Sequence, residues 1–145
     1  MNSNLSFIKN YLGVITIDLL KKVQIHEFPA IFCVNLDYSY EIGSHWIAIR
    51  VSQASVEIFD SLGLHFSRYP KPLIDFVSKY GKSKFVKTTP VLQPINSILC
   101  GYYVMYYIIF RQKTTFKSCL RPFCSDLNLN DRVLLSFLNA VVTKL

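Results

Sequence analysis

The stretch HWIAIRVSQASVEIFDSL, residues 45–62, decides how this chain folds. Its halves HWIAIRVS and SVEIFDSL are rich in Ile, Val, Trp and Phe and are separated by little more than Gln53 and Ala54. Two β-favouring runs with so short a break predict a hairpin. With the turn at Gln53 and Ala54, residues whose numbers add to 107 stand opposite one another. Arg50 then faces Glu57, a cross-strand pair of opposite charges that supports this register. Ile47 faces Asp60, and His45 lies two residues further along the same face. His45 and Asp60 become diagonal neighbours, about 7–8 Å apart at the backbone and within reach of an imidazole–carboxylate hydrogen bond. Glu57 is an odd number of positions from Asp60 and points to the other face, so the register selects Asp60 as the partner of His45.

Working outward, PAIFCVNL reads as a buried strand and the polar DYSYEIGS as the loop between it and the hairpin. Residues 4–11 are expected to hold a first helical region. Ile17, Leu19, Leu20 and Val23 give an apolar helical face over residues 16–23. Residues 70–80 predict a helix, with prolines at its start and Gly81 at its end, and KFVKTTPVLQ predicts a further extended piece. The 13-residue apolar run 98–110 is too short to span a bilayer, which takes roughly 20 residues, and is expected to be a central core helix. DRVLLSFLNAVVTKL closes the chain as an amphipathic helix, with Asn130 as its cap candidate. Strands in the middle with helices before and after them predict a single α+β domain over residues 1–145. The 51% hydrophobic content suffices for one core.

The four cysteines, Cys33, Cys100, Cys119 and Cys124, are too sparse for a disulfide framework. CLRPFC spaces Cys119 and Cys124 without a matching second pair of soft ligands, so no zinc site is expected. MNSNLSFIKN lacks the basic start, apolar core and cleavage site of a secretory signal, and an intracellular, reducing compartment is expected.

In LQPINSILCGYYVMYY, Cys100 stands where a polar, turn-forming segment gives way to the apolar run. It is either a small buried hydrophobe or a thiol presented at the start of a helix, where the dipole favours the thiolate. With Ser97 as N-cap, Cys100 falls at the third helical position. A carboxylate that orients an imidazole and favours its protonated form is what a cysteine–histidine pair needs, so His45 and Asp60 supply the partners. Gln93, at the end of the extended piece, can offer a side-chain amide to a developing oxyanion or can simply be solvated. His26 and His65 are rival bases, but neither has a carboxylate placed for it by a strand register.

Sixteen Lys and Arg against nine Asp and Glu give a formal charge of +7. Lys79, Lys82, Lys84 and Lys87 form its densest cluster. It reads equally as a solvated basic face or as a weak, sequence-independent nucleic-acid contact.

The order His45, Asp60, Gln93, Cys100 resembles the adenovirus-type (adenain-like) cysteine endopeptidases and their relatives in Polinton (Maverick) elements and related large DNA viruses. The pieces that carry the resemblance are YLGVITID, PAIFCVNLD, GSHWIAI, EIFDSLG, LQPINSILCGYYVMYY and LNDRVLLSFL. The resemblance implies an α+β fold of the adenain and ubiquitin-like-protease type, a small mixed sheet packed against a buried helix that carries the catalytic cysteine. It implies Cys100 as nucleophile, His45 as general base, Asp60 as its orienting group and Gln93 in the oxyanion hole. It further implies a monomeric maturation protease, in the host nucleus or virion, that cleaves capsid or core precursors at glycine-containing sites. Such chemistry requires no cofactor, although the family implies DNA as an activator. Proteases of ubiquitin-like modifiers share the four roles but carry an Asp before the cysteine and a glutamine-to-cysteine segment one residue shorter. Leu99 precedes Cys100 here, which favours the adenovirus-like branch. A basic capsid- or DNA-associated protein with a vestigial site is the alternative of another class.

Overall fold

In the computed structural model, which describes residues 8–143, five strands form one mixed sheet in sequence order. They are β1 (Tyr11–Thr16), β2 (Ala30–Asn35), β3 (Trp46–Val51), β4 (Ser55–Phe59) and β5 (Phe85–Thr88). β2, β3 and β4 are antiparallel neighbours, whereas β1 and β5 run parallel to β2 and β4 at the two edges. A parallel pair needs a crossover. For β4 to β5 that crossover contains helix α1 (Lys71–Tyr80), and for β1 to β2 it contains a short 3-10 helix (Ile17–Lys22). Helices α2 (Cys100–Phe110), α3 (Phe116–Leu120) and α4 (Leu127–Val142) follow the sheet. The expected α+β arrangement, a small mixed sheet against a buried helix that carries Cys100, is the one observed.

The period of two along the strands sorts the core into two layers. Phe32, Val34, Ile47, Ile49, Val51, Val56 and Ile58 pack towards Leu73, Phe76 and Val77 of α1. Ile31, Cys33, Ala48 and Phe59 pack towards α2. Cys33 and Ala48 stand opposite each other across β2 and β3. These two small side chains leave room for a helix with bulky residues, and the Tyr107 ring stacks on Phe59 with centroids 4.5 Å apart. α2 is apolar on nearly all sides because the sheet covers one flank while Phe116 and Leu134 and Leu138 of α4 cover others.

The hairpin keeps the anticipated register, with Arg50 opposite Glu57 and Ala48 opposite Phe59. The N-terminal region differs. Residues 4–7 of the helix expected at 4–11 lie outside the described residues, residues 8–10 form a bend and turn, and Tyr11 begins β1. The β-branched residues of YLGVIT favour an edge strand, with an irregularity between Tyr11 and Val14 where Gly13 takes φ +90°. The helical face expected over 16–23 survives only as the 3-10 helix. Ile17 and Leu20, three apart and so eclipsed in that geometry, are buried, while Leu19 is exposed. α2 starts at Cys100 with Leu99 in the cap position, so the cysteine is the first helical residue rather than the third. Ser97 does not cap it, since its carbonyl accepts from Gln93 and its hydroxyl from the Leu99 N–H. α4 is capped four residues before the expected cap, by Asp126, whose carboxylate accepts the Leu129 N–H. Asn130 is instead buried inside the first turn of that helix.

Candidate active site

His45 immediately precedes β3, and Asp60 immediately follows β4. Each is held there by its backbone, the His45 carbonyl accepting from Leu36 N–H and the Asp60 N–H donating to Thr89 Oγ1. The diagonal placement brings His45 Nε2 to 2.7 Å from Asp60 Oδ1. Leu62 N–H donates to the same oxygen at 2.9 Å, and Asp60 Oδ2 accepts from Tyr69 Oη at 2.8 Å and Leu64 N–H at 3.2 Å. Burial by itself raises the Asp60 pKa. The hydrogen bond and charge of His45, with the Tyr69 and Leu62 donors, outweigh burial and hold the carboxyl below its usual range. Asp60 therefore stays ionised, and a carboxylate only accepts, so the Nε2 proton of His45 is directed at it.

Cys100 lines the same cleft as His45, at the N-terminus of α2. Burial raises the pKa of its thiol, but the neighbouring His45 side chain, the backbone of Trp46 and Gly101 and the imidazolium charge favour the thiolate and bring it below the ordinary thiol value. Burial likewise disfavours the His45 imidazolium, and the Asp60 and Cys100 contacts reverse this, raising its pKa to about 9. Nε2 is committed to Asp60, which leaves Nδ1 for the thiol. Both residues are 8% exposed, buried enough to couple yet open to a substrate.

Gln93 lies on the cleft wall beside Cys100 and is 2% exposed. Its Nε2 donates to the Ser97 carbonyl at 2.6 Å, and its Oε1 accepts from Ser61 Oγ at 2.6 Å. The first N–H groups of a helix have no intrahelical acceptor, so those of Cys100 and Gly101 stand at the open end of α2. The cleft, of about 710 Å³, is also lined by Gly43, Ser44, Trp46 and Leu62, with Ile95, Ile98, Tyr102 and Met105 on its apolar side.

The cleft thus gathers His45, Gln93 and Cys100, with Asp60 behind the imidazole. His26 and His65 are exposed and lie outside it, and His65 Nδ1 is engaged by Ser67 Oγ. Glu57 is fully buried on the opposite face of the hairpin, where it accepts from Tyr107 Oη at 2.6 Å and from Arg111 Nε and Nη2, each at 2.9 Å. The four lysines lie apart from the cleft. Lys84 donates to the Ser52 carbonyl and sits over the Phe28 ring, Lys87 reaches Glu57 at 3.6 Å, and Lys79 lies over the Tyr80 ring. Among the described residues no three His, Cys, Asp or Glu side chains converge as a metal centre requires.

Sequence reasoning did not reach Tyr69, Ser61 or Thr89. Tyr69 closes a single-turn 3-10 helix, Phe66–Arg68, which is too short to show a period. Ser61 was legible only as the residue after Asp60, and Thr89 only as the residue after β5. Asn130 is a tether rather than the expected cap: its Nδ2 donates to the carbonyls of Leu92 and Cys124, which ties α4 to the segment that carries Gln93.

No protein-family description and no curated protein matches this chain. Among solved structures it is similar to two crystal structures of the ASFV pS273R protease. The selenomethionine form is 22% identical at a TM-score of 0.49, covering 72% of this chain and 43% of that one. The other is 20% identical at a TM-score of 0.48, covering 83% of this chain and 57% of that one. This chain thus spans about half the length of that protease. Likeness at this level assigns no activity, and the chemistry stands on the geometry of the cleft.

Proposed function

We propose that this chain is a cysteine endopeptidase with Cys100 as nucleophile, His45 as base and Asp60 as the group that orients it. The observation that carries the reading is the 2.7 Å His45–Asp60 bond beside a thiol whose pKa is lowered in the same cleft. The Cys100 thiolate attacks the scissile carbonyl carbon, forming a C–S bond and moving an electron pair onto the carbonyl oxygen. That oxyanion faces the Gln93 amide and the N–H groups at the start of α2. Collapse of the intermediate breaks the C–N bond, and the departing amine takes a proton from the His45 imidazolium. Water then attacks the thioester as His45 accepts its proton, and the carboxylate product leaves with the thiolate restored.

The finer reading is an adenovirus-type maturation protease, acting as a monomer in the host nucleus or virion on capsid or core precursors at glycine-containing sites. Its support is the order and wording of the motifs, with Leu99 rather than Asp before Cys100. DNA as an activator belongs to the same proposal and rests on the +7 charge.

A peptide-vinyl-sulfone thiol probe tests the central claim. Labelling should map to Cys100 and vanish in Cys100→Ala, with cleavage of a glycine-ending peptidyl aminocoumarin lost in parallel and the fold unchanged by circular dichroism. Labelling confined to Cys33, Cys119 or Cys124, or cleavage retained in Cys100→Ala, rejects the proposal.

A further inference from the structure

Consecutive residues at the end of β4 point to different parts of the site. Asp60 holds the imidazole, and Ser61 turns to the other wall of the cleft and reaches Gln93. The Ser61 hydroxyl donates to Gln93 Oε1 at 2.6 Å, and both side chains are almost wholly buried. The Ser61 carbonyl accepts from the N–H groups of Leu92 and Gln93, at 2.8 and 2.9 Å, so backbone and side chain are anchored by one residue. From the far side, the Leu92 carbonyl accepts from Asn130 Nδ2 at 3.0 Å and Tyr103 Oη at 3.3 Å.

A primary amide has an acceptor end and a donor end with two hydrogens, and a buried amide keeps one sense only if its neighbours discriminate between the ends. Here the acceptor end is taken by Ser61 Oγ–H, and one of the two Nε2 hydrogens by the Ser97 carbonyl. The second hydrogen remains for the cleft.

We infer that Ser61 is a positioning residue, whose hydroxyl holds the Gln93 amide with its free N–H towards the reacting carbonyl. The inference rests on the cysteine-peptidase reading for its catalytic consequence, but the Ser61–Gln93 bond is open to direct measurement. It also links the two halves of the site, because the turn that supplies the acid supplies the support for the oxyanion donor.

Ser61→Ala leaves a buried carbonyl oxygen without its donor and the amide held at its Nε2 end alone, by the Ser97 carbonyl. With a glycine-ending peptidyl aminocoumarin, kcat should fall by about tenfold at unchanged KM, less than the 10²–10³ lost with an oxyanion-hole donor itself. Ser61→Thr, which keeps the hydroxyl, should restore most of that loss. In a Gln93→Ala background the further change to Ser61→Ala should alter kcat by less than about twofold, since residues that act as one unit are not additive. Equal losses from Ser61→Ala in both backgrounds, or a loss confined to KM, overturn the inference. A readout without turnover separates it from the peptidase reading. The side-chain amide protons of Gln93, followed by ¹⁵N NMR, should exchange faster with water in Ser61→Ala than in wild type. Unchanged exchange overturns the inference whatever the rates do. Faster exchange in a protein that neither cleaves peptide nor takes a thiol probe upholds the positioning of Gln93 and rejects the peptidase reading.

Discussion

Two cysteines a short distance apart in the fold have opposite fates. Cys33, in the middle of β2, is pushed up to about 12 by burial and by the nearby Cys100 charge. Cys100 is brought below the ordinary thiol value because His45 and the backbone of Trp46 and Gly101 more than offset its burial. In the free protein, thiolate and imidazolium therefore coexist from the lowered Cys100 pKa up to about 9, where His45 loses its proton. Iodoacetamide alkylation mapped to Cys100 should keep its plateau rate to lower pH than an ordinary thiol does, whereas in His45→Ala the midpoint should rise towards the free-cysteine value of about 8.5. Peptide cleavage should fall as pH passes about 9, because the leaving amine then lacks its proton donor. An unchanged alkylation profile in His45→Ala would place the cause elsewhere than the imidazole. At this scale His45, Asp60 and Cys100 were legible, since strand parity and a turn position fix where such side chains point. Tyr69 and Ser61 were not, because their contacts depend on the paths of loops that follow no period.

The elements are tied together by a buried charge. Glu57 is fully enclosed in β4, and it binds Arg111 at the C-terminal end of α2 through two contacts of 2.9 Å and Tyr107, one turn earlier, at 2.6 Å. Burial raises the Glu57 pKa, but the Arg111 and Tyr107 hydrogen bonds and the charges of Arg111 and Arg50 bring it below the usual carboxylate value. The clamp fixes one end of α2 against the hairpin while Cys100 occupies the other. Glu57→Gln leaves Arg111 and Arg50 without their counter-charge and should cost about 3 kcal/mol in urea unfolding. A folded pKa below the unfolded one gives stability that is present above the unfolded value and lost as pH falls through the folded value. The wild-type advantage over Glu57→Gln should accordingly shrink towards acid pH. A difference that persists undiminished into acid would show that packing, not charge, holds the clamp. The hairpin, α1 and α2 were readable because period and turn residues agree within each segment. The N-terminal strand and the true caps of α2 and α4 were not. YLGVIT is short enough for either period, and the choice among Ser97, Leu99, Asp126 and Asn130 was made by tertiary hydrogen bonds.

Across the whole molecule, the excess of positive charge is not all available to a partner. Lys84 and Lys87 are engaged by the Ser52 carbonyl and by Glu57, whereas Lys79 and Lys82 belong to the surface around α1 and the turn that follows it. If random duplex DNA is bound through some six phosphates, affinity should drop by about 10³ between 50 and 200 mM salt. Lys79→Gln with Lys82→Gln should flatten that slope and leave short-peptide cleavage unchanged. Absence of binding at low salt would make the cluster a solvated face. The assembled site also carries a message about time. His45 and Asp60 are joined across 15 positions within one hairpin, but Ser61 meets Gln93 across 32, and Cys100 lies beyond α1, β5 and the segment that follows them. Long-range closures come at the greatest entropic cost. An unfinished chain has its acid and base within local reach, but its cysteine is an ordinary thiol of ordinary acidity. The activated nucleophile is thus a property of the completed fold, and an incompletely folded copy offers only the slower reactivity of an unassisted thiol.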